Sequence, residues 1–112
     1  SRVLVMGLTF KENCPDLRNT RVIDVINELK EYHVEVEVYD PWVNPEEAKH
    51  EYGIEPVRAP TQGSYDGIVI AVGHEQFRDI GANGIKAFGK PVGCTIFDLK
   101  YVITASDADI RL

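Results

Sequence analysis

The apolar run Val3-Leu4-Val5-Met6 ends on Gly7 and gives way at once to a loop-like stretch, Leu8 to Thr20, that carries Lys11 and Arg18 before a helical pattern begins. A buried strand, a glycine, a loop with cations and then a helix is the opening of an open α/β fold. Glycine lets the backbone turn at the strand end without a side-chain clash, and folds of this class bind ligands outside the carboxyl ends of their strands. An ammonium and a guanidinium there suit a phosphate or pyrophosphate. The competing reading is an ordinary strand-to-helix loop whose charges are solvated. One feature is missing: Gly7-Leu8-Thr9-Phe10 is not G-x-G-x-x-G, so the tight turn that sets a dinucleotide pyrophosphate on a helix N-terminus is absent.

The rest of the chain alternates strand and helix signals. Val22, Ile23, Ile26 and Leu29 recur on one helical face, with Asn19 or Thr20 as the cap. Val34, Val36 and Val38 alternate with Glu35 and Glu37, the pattern of an edge or half-exposed strand ending at Tyr39. Asn44-Pro45-Glu46-Glu47 opens a short helix, with proline at its first position, that closes near Tyr52-Gly53. Ile54 to Val57 reads as a short strand, and Arg58 to Tyr65 as loop. Ile68 to Val72 is the most apolar run and is expected to be a central strand. A helix from Glu75 to Ile80 is interrupted at Gly81 and Gly84 and resumes through Ile85 and Phe88; Thr95 to Asp98 is the last clear strand, and the tail after Lys100 is weakly patterned. Strands separated by helices predict a Rossmann-like three-layer α/β sandwich with a mainly parallel sheet.

With 112 residues the chain is one domain. Its net charge of −6 argues against generalised attraction to nucleic acid or an anionic membrane, so any phosphate binding has to be local. No apolar run approaches a membrane span and no signal-peptide pattern opens the sequence, from which a cytoplasmic, unexported protein is expected. Cys14 and Cys94 show neither disulfide nor zinc spacing and read as free thiols; Cys14 has no partner for nucleophilic work beside it in sequence. No catalytic residue and no metal site is expected in this chain.

G-x-x-F-K with an Asp and then Arg18 seven positions after Lys11, Tyr39-Asp40-Pro41 closing the second strand, Ala71-Val72-Gly73-His74-Glu75-Gln76-Phe77 after a later one, and Phe97-Asp98 after the last occur in that order. Together they resemble the C-terminal, UDP-binding domain of the UDP-glucose/GDP-mannose dehydrogenase family across nearly the whole chain, residues 1–112. Cys14 and Pro15 beside Asp16 place it nearer the UDP-N-acetylhexosamine enzymes than the UDP-glucose ones. The resemblance implies a fragment of a larger enzyme, inactive alone. The remainder of that enzyme holds the NAD fingerprint and a catalytic cysteine, and oxidises C6 of a UDP-sugar to the uronic acid in two hydride transfers. Synthesis of polysaccharide precursors, and a homo-oligomer for the full-length protein, are implied as well.

The resemblance also implies roles for particular residues. Lys11 contacts the UDP-sugar phosphates, against a solvated-face reading. Phe10 packs beside the ligand or anchors the core. Arg18 reaches across the domain cleft toward the NAD pyrophosphate, or is a surface arginine paired with Asp16. Lys100 stands near where relatives carry Gly-Arg after the last-strand aspartate; here the run is Phe97-Asp98-Leu99-Lys100-Tyr101, which leaves the register of that contact open. Asp40 reads as a turn-forming Asp-Pro rather than a ribose ligand. His74 reads as a helix-start or core hydrogen-bonding histidine with no acid partner visible, and Trp42 as a packing residue at a surface or subunit contact. Two other functions fit an α/β chain: a non-enzymatic regulatory nucleotide-binding module, and a receiver-like signalling domain, which needs paired acids at the end of the first strand where this chain has Gly7-Leu8-Thr9.

Overall fold

A computed structural model describes residues 2–8, 22–98 and 110–111. Strand β1 (Arg2–Met6) lies inside a five-stranded sheet of order β2-β1-β3-β4-β5, with β2 (Glu35–Tyr39), β3 (Gly67–Ile70), β4 (Thr95–Asp98) and β5 (Ile110–Arg111). Every paired neighbour runs parallel. Strand alternation sorts the core onto the two faces of this sheet. Val5, Val38 and Val69 pack with Val22 and Ile26 of α1 (Val22–Glu31) and Ala48 of α2 (Pro45–Tyr52), whereas Leu4, Met6, Ile68 and Ile70 pack with Phe77 and Ile85 of α3 (Glu75–Lys86). Helices therefore cover both faces, the three-layer sandwich read from the sequence.

Local chemistry explains the element ends. Asn44 caps α2 by accepting from the N–H groups of Glu46 at 3.0 Å and Glu47 at 3.3 Å, Pro45 occupies the first turn, and Gly53 closes the helix. Within α3, Gly81 adopts φ 75° and ψ 167°, a conformation that a side chain disfavours. The glycine thus breaks the helix at the expected residue and lets Phe77 and Ile85 both reach the core. β3, buried on both faces, is central, and β2 is an edge strand.

Two elements differ from expectation. Residues 54–57 form no strand: Pro56 has no N–H for a ladder, and Val57 N–H donates to Val38 O at 2.8 Å without extending into a pairing. The tail supplies a strand, β5, whose two residues pair with Phe97 and Asp98 and are too few to show a period.

At the amino-terminal edge of the sheet, Asp66 ties β1 to the turn before β4. Its Oδ2 accepts from Arg2 N–H at 2.8 Å and its Oδ1 from Lys90 Nζ at 2.9 Å. The Arg2 guanidinium hydrogen-bonds Glu37 and lies 5.3 Å from the centre of the Tyr65 ring, whose hydroxyl donates to Glu37 Oε1 at 3.2 Å. The Arg2 N–H, and after it Lys90, hold the Asp66 carboxyl below its usual value of 3.8. A depressed folded-state value contributes stability that is present above the unfolded value and lost as pH falls through the folded one. Asp66→Asn is therefore expected to lower the urea midpoint of the full-length protein modestly at neutral pH, with the gap to wild type closing below about pH 4. A gap of the same size at about pH 3 would contradict that linkage.

Candidate functional site

The strand order reverses direction between β1 and β3, and crevices outside the carboxyl ends of strands at such a point are where open α/β sheets take ligands. Gly7 occupies that position. Its φ is 105°, and a Cβ on it would stand 2.6 Å from Val72 Cβ and 2.8 Å from Val72 N. The glycine thus serves close approach of the β1 and β3 exits, and Ala71 and Val72 N–H groups donate back to Met6 O at 2.9 and 3.4 Å. Leu8 follows with its side chain fully buried. Gly7 at this position serves strand-to-strand packing.

Three exits meet on one carboxylate. Asp40, just past β2, accepts through Oδ2 from Leu8 N–H at 2.7 Å and from His74 Nε2 at 2.8 Å, and through Oδ1 from Trp42 N–H at 2.7 Å. The carboxylate accepts, so the hydrogen-bond pattern assigns the imidazole proton to Nε2. Both side chains are wholly removed from solvent. The bond to Trp42 N–H is the aspartate turn expected at Asp40-Pro41. His74 occupies the cap position of α3 and packs edge-on against Phe77, with ring centres 5.4 Å apart. Trp42 leans toward the His74 ring at 6.4 Å and donates Nε1–H to Gln76 Oε1 at 2.9 Å, joining the β2 exit to α3.

These distances correct one expectation. His74 does have an acid partner, Asp40, 34 positions away in sequence. The pair was hidden because neither residue is near the other along the chain; β2 and β3 flank β1, so their carboxyl ends straddle its exit. Asp98 at the end of β4 is buried too, which puts a third polar side chain at this edge. Buried and mutually hydrogen-bonded, Asp40 and His74 are arranged to hold backbone in place rather than to exchange protons with a substrate.

Phe10, Lys11, Arg18 and Lys100 lie outside the described residues, as do Cys14 and Asp16. Leu8 is the last described residue before Lys11, three positions on. A shallow depression of 640 Å³ beside Trp42 is lined by Val43, Asn44, Pro45 and Glu46. The Asn44 side chain already takes the leading N–H groups of α2, and Glu46 adds negative charge, so an anion is poorly served there. Cys94 is half-buried and forms no disulfide among the described residues. Among the described residues, no group of three or more His, Cys, Asp or Glu side chains could hold a metal ion, and no helix is long and apolar enough to cross a membrane.

Comparison with known proteins gives this geometry a context. The sequence matches the UDP-glucose/GDP-mannose dehydrogenase family, UDP binding domain, over residues 4–105. It is 54% identical over 112 residues to the UDP-N-acetyl-D-glucosamine 6-dehydrogenase of Pseudomonas aeruginosa and 52% identical to that of Salmonella typhi, covering 100% of this chain and 26% of each relative. The chain thus spans about a quarter of the length of these relatives. Its fold is similar to that of UDP-D-ManNAc dehydrogenase from Pyrococcus horikoshii, with a TM-score of 0.72 at 23% identity, over 94% of this chain and 23% of that one. The reversed sheet with its ligand edge, the cation-bearing stretch after β1 and a family match over nearly the whole length converge, and the chain belongs to the UDP-glucose/GDP-mannose dehydrogenase family as its UDP binding domain.

Proposed function

We propose that residues 1–112 are the C-terminal domain of a longer NAD-dependent dehydrogenase, and that they bind the UDP portion of a UDP-N-acetylhexosamine whose C6 hydroxyl the full-length protein oxidises to the carboxylate. The observation that carries this reading is the 54% identity, across the whole chain, to a UDP-N-acetyl-D-glucosamine 6-dehydrogenase. In it Lys11 neutralises the diphosphate, Phe10 and Lys100 flank the nucleotide, and Arg18 faces the NAD pyrophosphate across the domain cleft. NAD itself, which accepts the hydride, is held mainly by the remainder of the protein, since this chain carries Gly7-Leu8-Thr9-Phe10 where a dinucleotide fingerprint would stand. A cytoplasmic homo-oligomer supplying polysaccharide precursors is the setting this chemistry fits.

The β2-β1-β3-β4-β5 order also suits a receiver-like domain. Asp40 argues against that role, since its carboxylate is engaged by Leu8, Trp42 and His74. The test of the proposal is NADH formation by the full-length protein with UDP-N-acetylglucosamine, UDP-N-acetylgalactosamine and UDP-glucose in turn. Oxidation of an N-acetylated sugar is expected, with none from residues 1–112 alone. UDP binding without NADH formation from any UDP-sugar would favour a regulatory nucleotide-binding module instead.

A further inference from the structure

We propose that Asp40 and His74 are positioning residues for nucleoside-diphosphate binding: the Asp40 carboxylate fixes where the backbone leaves β1, and the His74 imidazole fixes the carboxylate. The proposal rests on the reading of Lys11 as the diphosphate contact. Leu8 N–H, held at 2.7 Å by Asp40, is the buried anchor from which the chain continues to Lys11. Lys11 follows three positions on in the sequence, so its backbone lies within about 11 Å of that anchor. The carboxylate cannot wander, because its second oxygen holds Trp42 N–H and its first is shared with His74 Nε2. His74 in turn is fixed at the start of α3 by its edge-on packing against Phe77. The exits of β1 and β2 and the start of α3 are thereby locked to a common point, and a site supported in this way is preorganised before its ligand arrives.

The sign of one substitution separates positioning from the alternatives. Asp40→Asn preserves volume but replaces an acceptor oxygen with an amide that faces the incoming N–H donors. On Coulomb grounds alone, removing a carboxylate from the neighbourhood of a diphosphate should tighten binding. Positioning requires the opposite.

The experiment is calorimetric titration of UDP into the full-length protein at a temperature well below unfolding, for wild type, Asp40→Asn, His74→Gln and His74→Leu. Asp40→Asn and His74→Leu are each expected to weaken UDP by about tenfold, the loss of a charge-assisted hydrogen bond. His74→Gln, whose amide N–H reaches the Nε2 position, should stay close to wild type. In steady state the UDP-sugar KM should rise with the NAD constant unchanged. Unchanged or tighter UDP binding by Asp40→Asn overturns the proposal. If Asp40→Asn does not fold, the histidine pair decides: equal affinities for the Gln and Leu variants overturn it, and rescue by Gln alone supports it. Wild-type protein that binds no UDP overturns the parent reading and this proposal together, whereas wild-type binding with indifferent variants overturns this proposal alone.

Discussion

Gly7→Ala is expected to cost about 2–5 kcal/mol of stability. Two penalties add. A φ of 105° is hostile to any residue with a Cβ, which costs about 1–2 kcal/mol. The new methyl would also overlap Val72 at its Cβ, 2.6 Å away, and at its backbone N, 2.8 Å away. Overpacking of this kind costs about 1–3 kcal/mol where the neighbour can shift. Here it cannot shift easily, because Val72 N–H is bonded to Met6 O and the residue is buried. Trimming Val72 to alanine leaves both clashing atoms in place, so Gly7→Ala/Val72→Ala should not recover the loss. Thermal unfolding of the full-length variants measures this; a loss for Gly7→Ala below about 1 kcal/mol, or rescue by the double change, would show that the two strand exits are not packed as described.

Lys11→Ala is expected to produce the largest loss of ligand affinity. A chain of net charge −6 repels a diphosphate in general, so binding has to come from cations placed at the ligand edge. A charge-assisted contact to phosphate contributes on the order of 1.5–3 kcal/mol, hence a drop of roughly ten- to hundredfold in affinity for UDP and UDP-sugar alike. Equal factors for the two ligands would assign the contact to the diphosphate rather than the sugar. Thermal stability should be nearly unchanged. Calorimetry showing UDP binding untouched, or a variant that unfolds, would make Lys11 a structural residue.

Much of the architecture is legible along the sequence because its signals are local. The all-apolar run of Ile68 to Val72 announces a strand covered on both faces, which the structure places at Gly67–Ile70; Asn44-Pro45 and Gly53 bracket a helix by their own hydrogen-bonding needs, and Gly81 breaks α3 where the pattern stutters. The misses have physical causes of three kinds. Residues 54–57 carry strand-forming side chains, but Pro56 withholds the donor that a ladder requires. β5 is a two-residue addition paired with β4 and too short to carry a pattern of its own. The Asp40–His74 pair belongs to a third kind. Each residue reads by itself as a turn former or a helix-start histidine, and their meeting is dictated by sheet order, which places the exits of β2 and β3 on either side of β1. A parallel sheet brings together side chains that follow different strands, so its ligand edge becomes legible only once the strand order is known.

The central claim is that this domain carries the UDP site, and hydrogen–deuterium exchange of the full-length protein with and without saturating UDP tests it most directly. The account predicts slowed exchange on UDP addition in peptides spanning residues 7–18 and in those covering 98–100, at the ends of β1 and β4. Protection confined to parts of the protein outside residues 1–112 would contradict it.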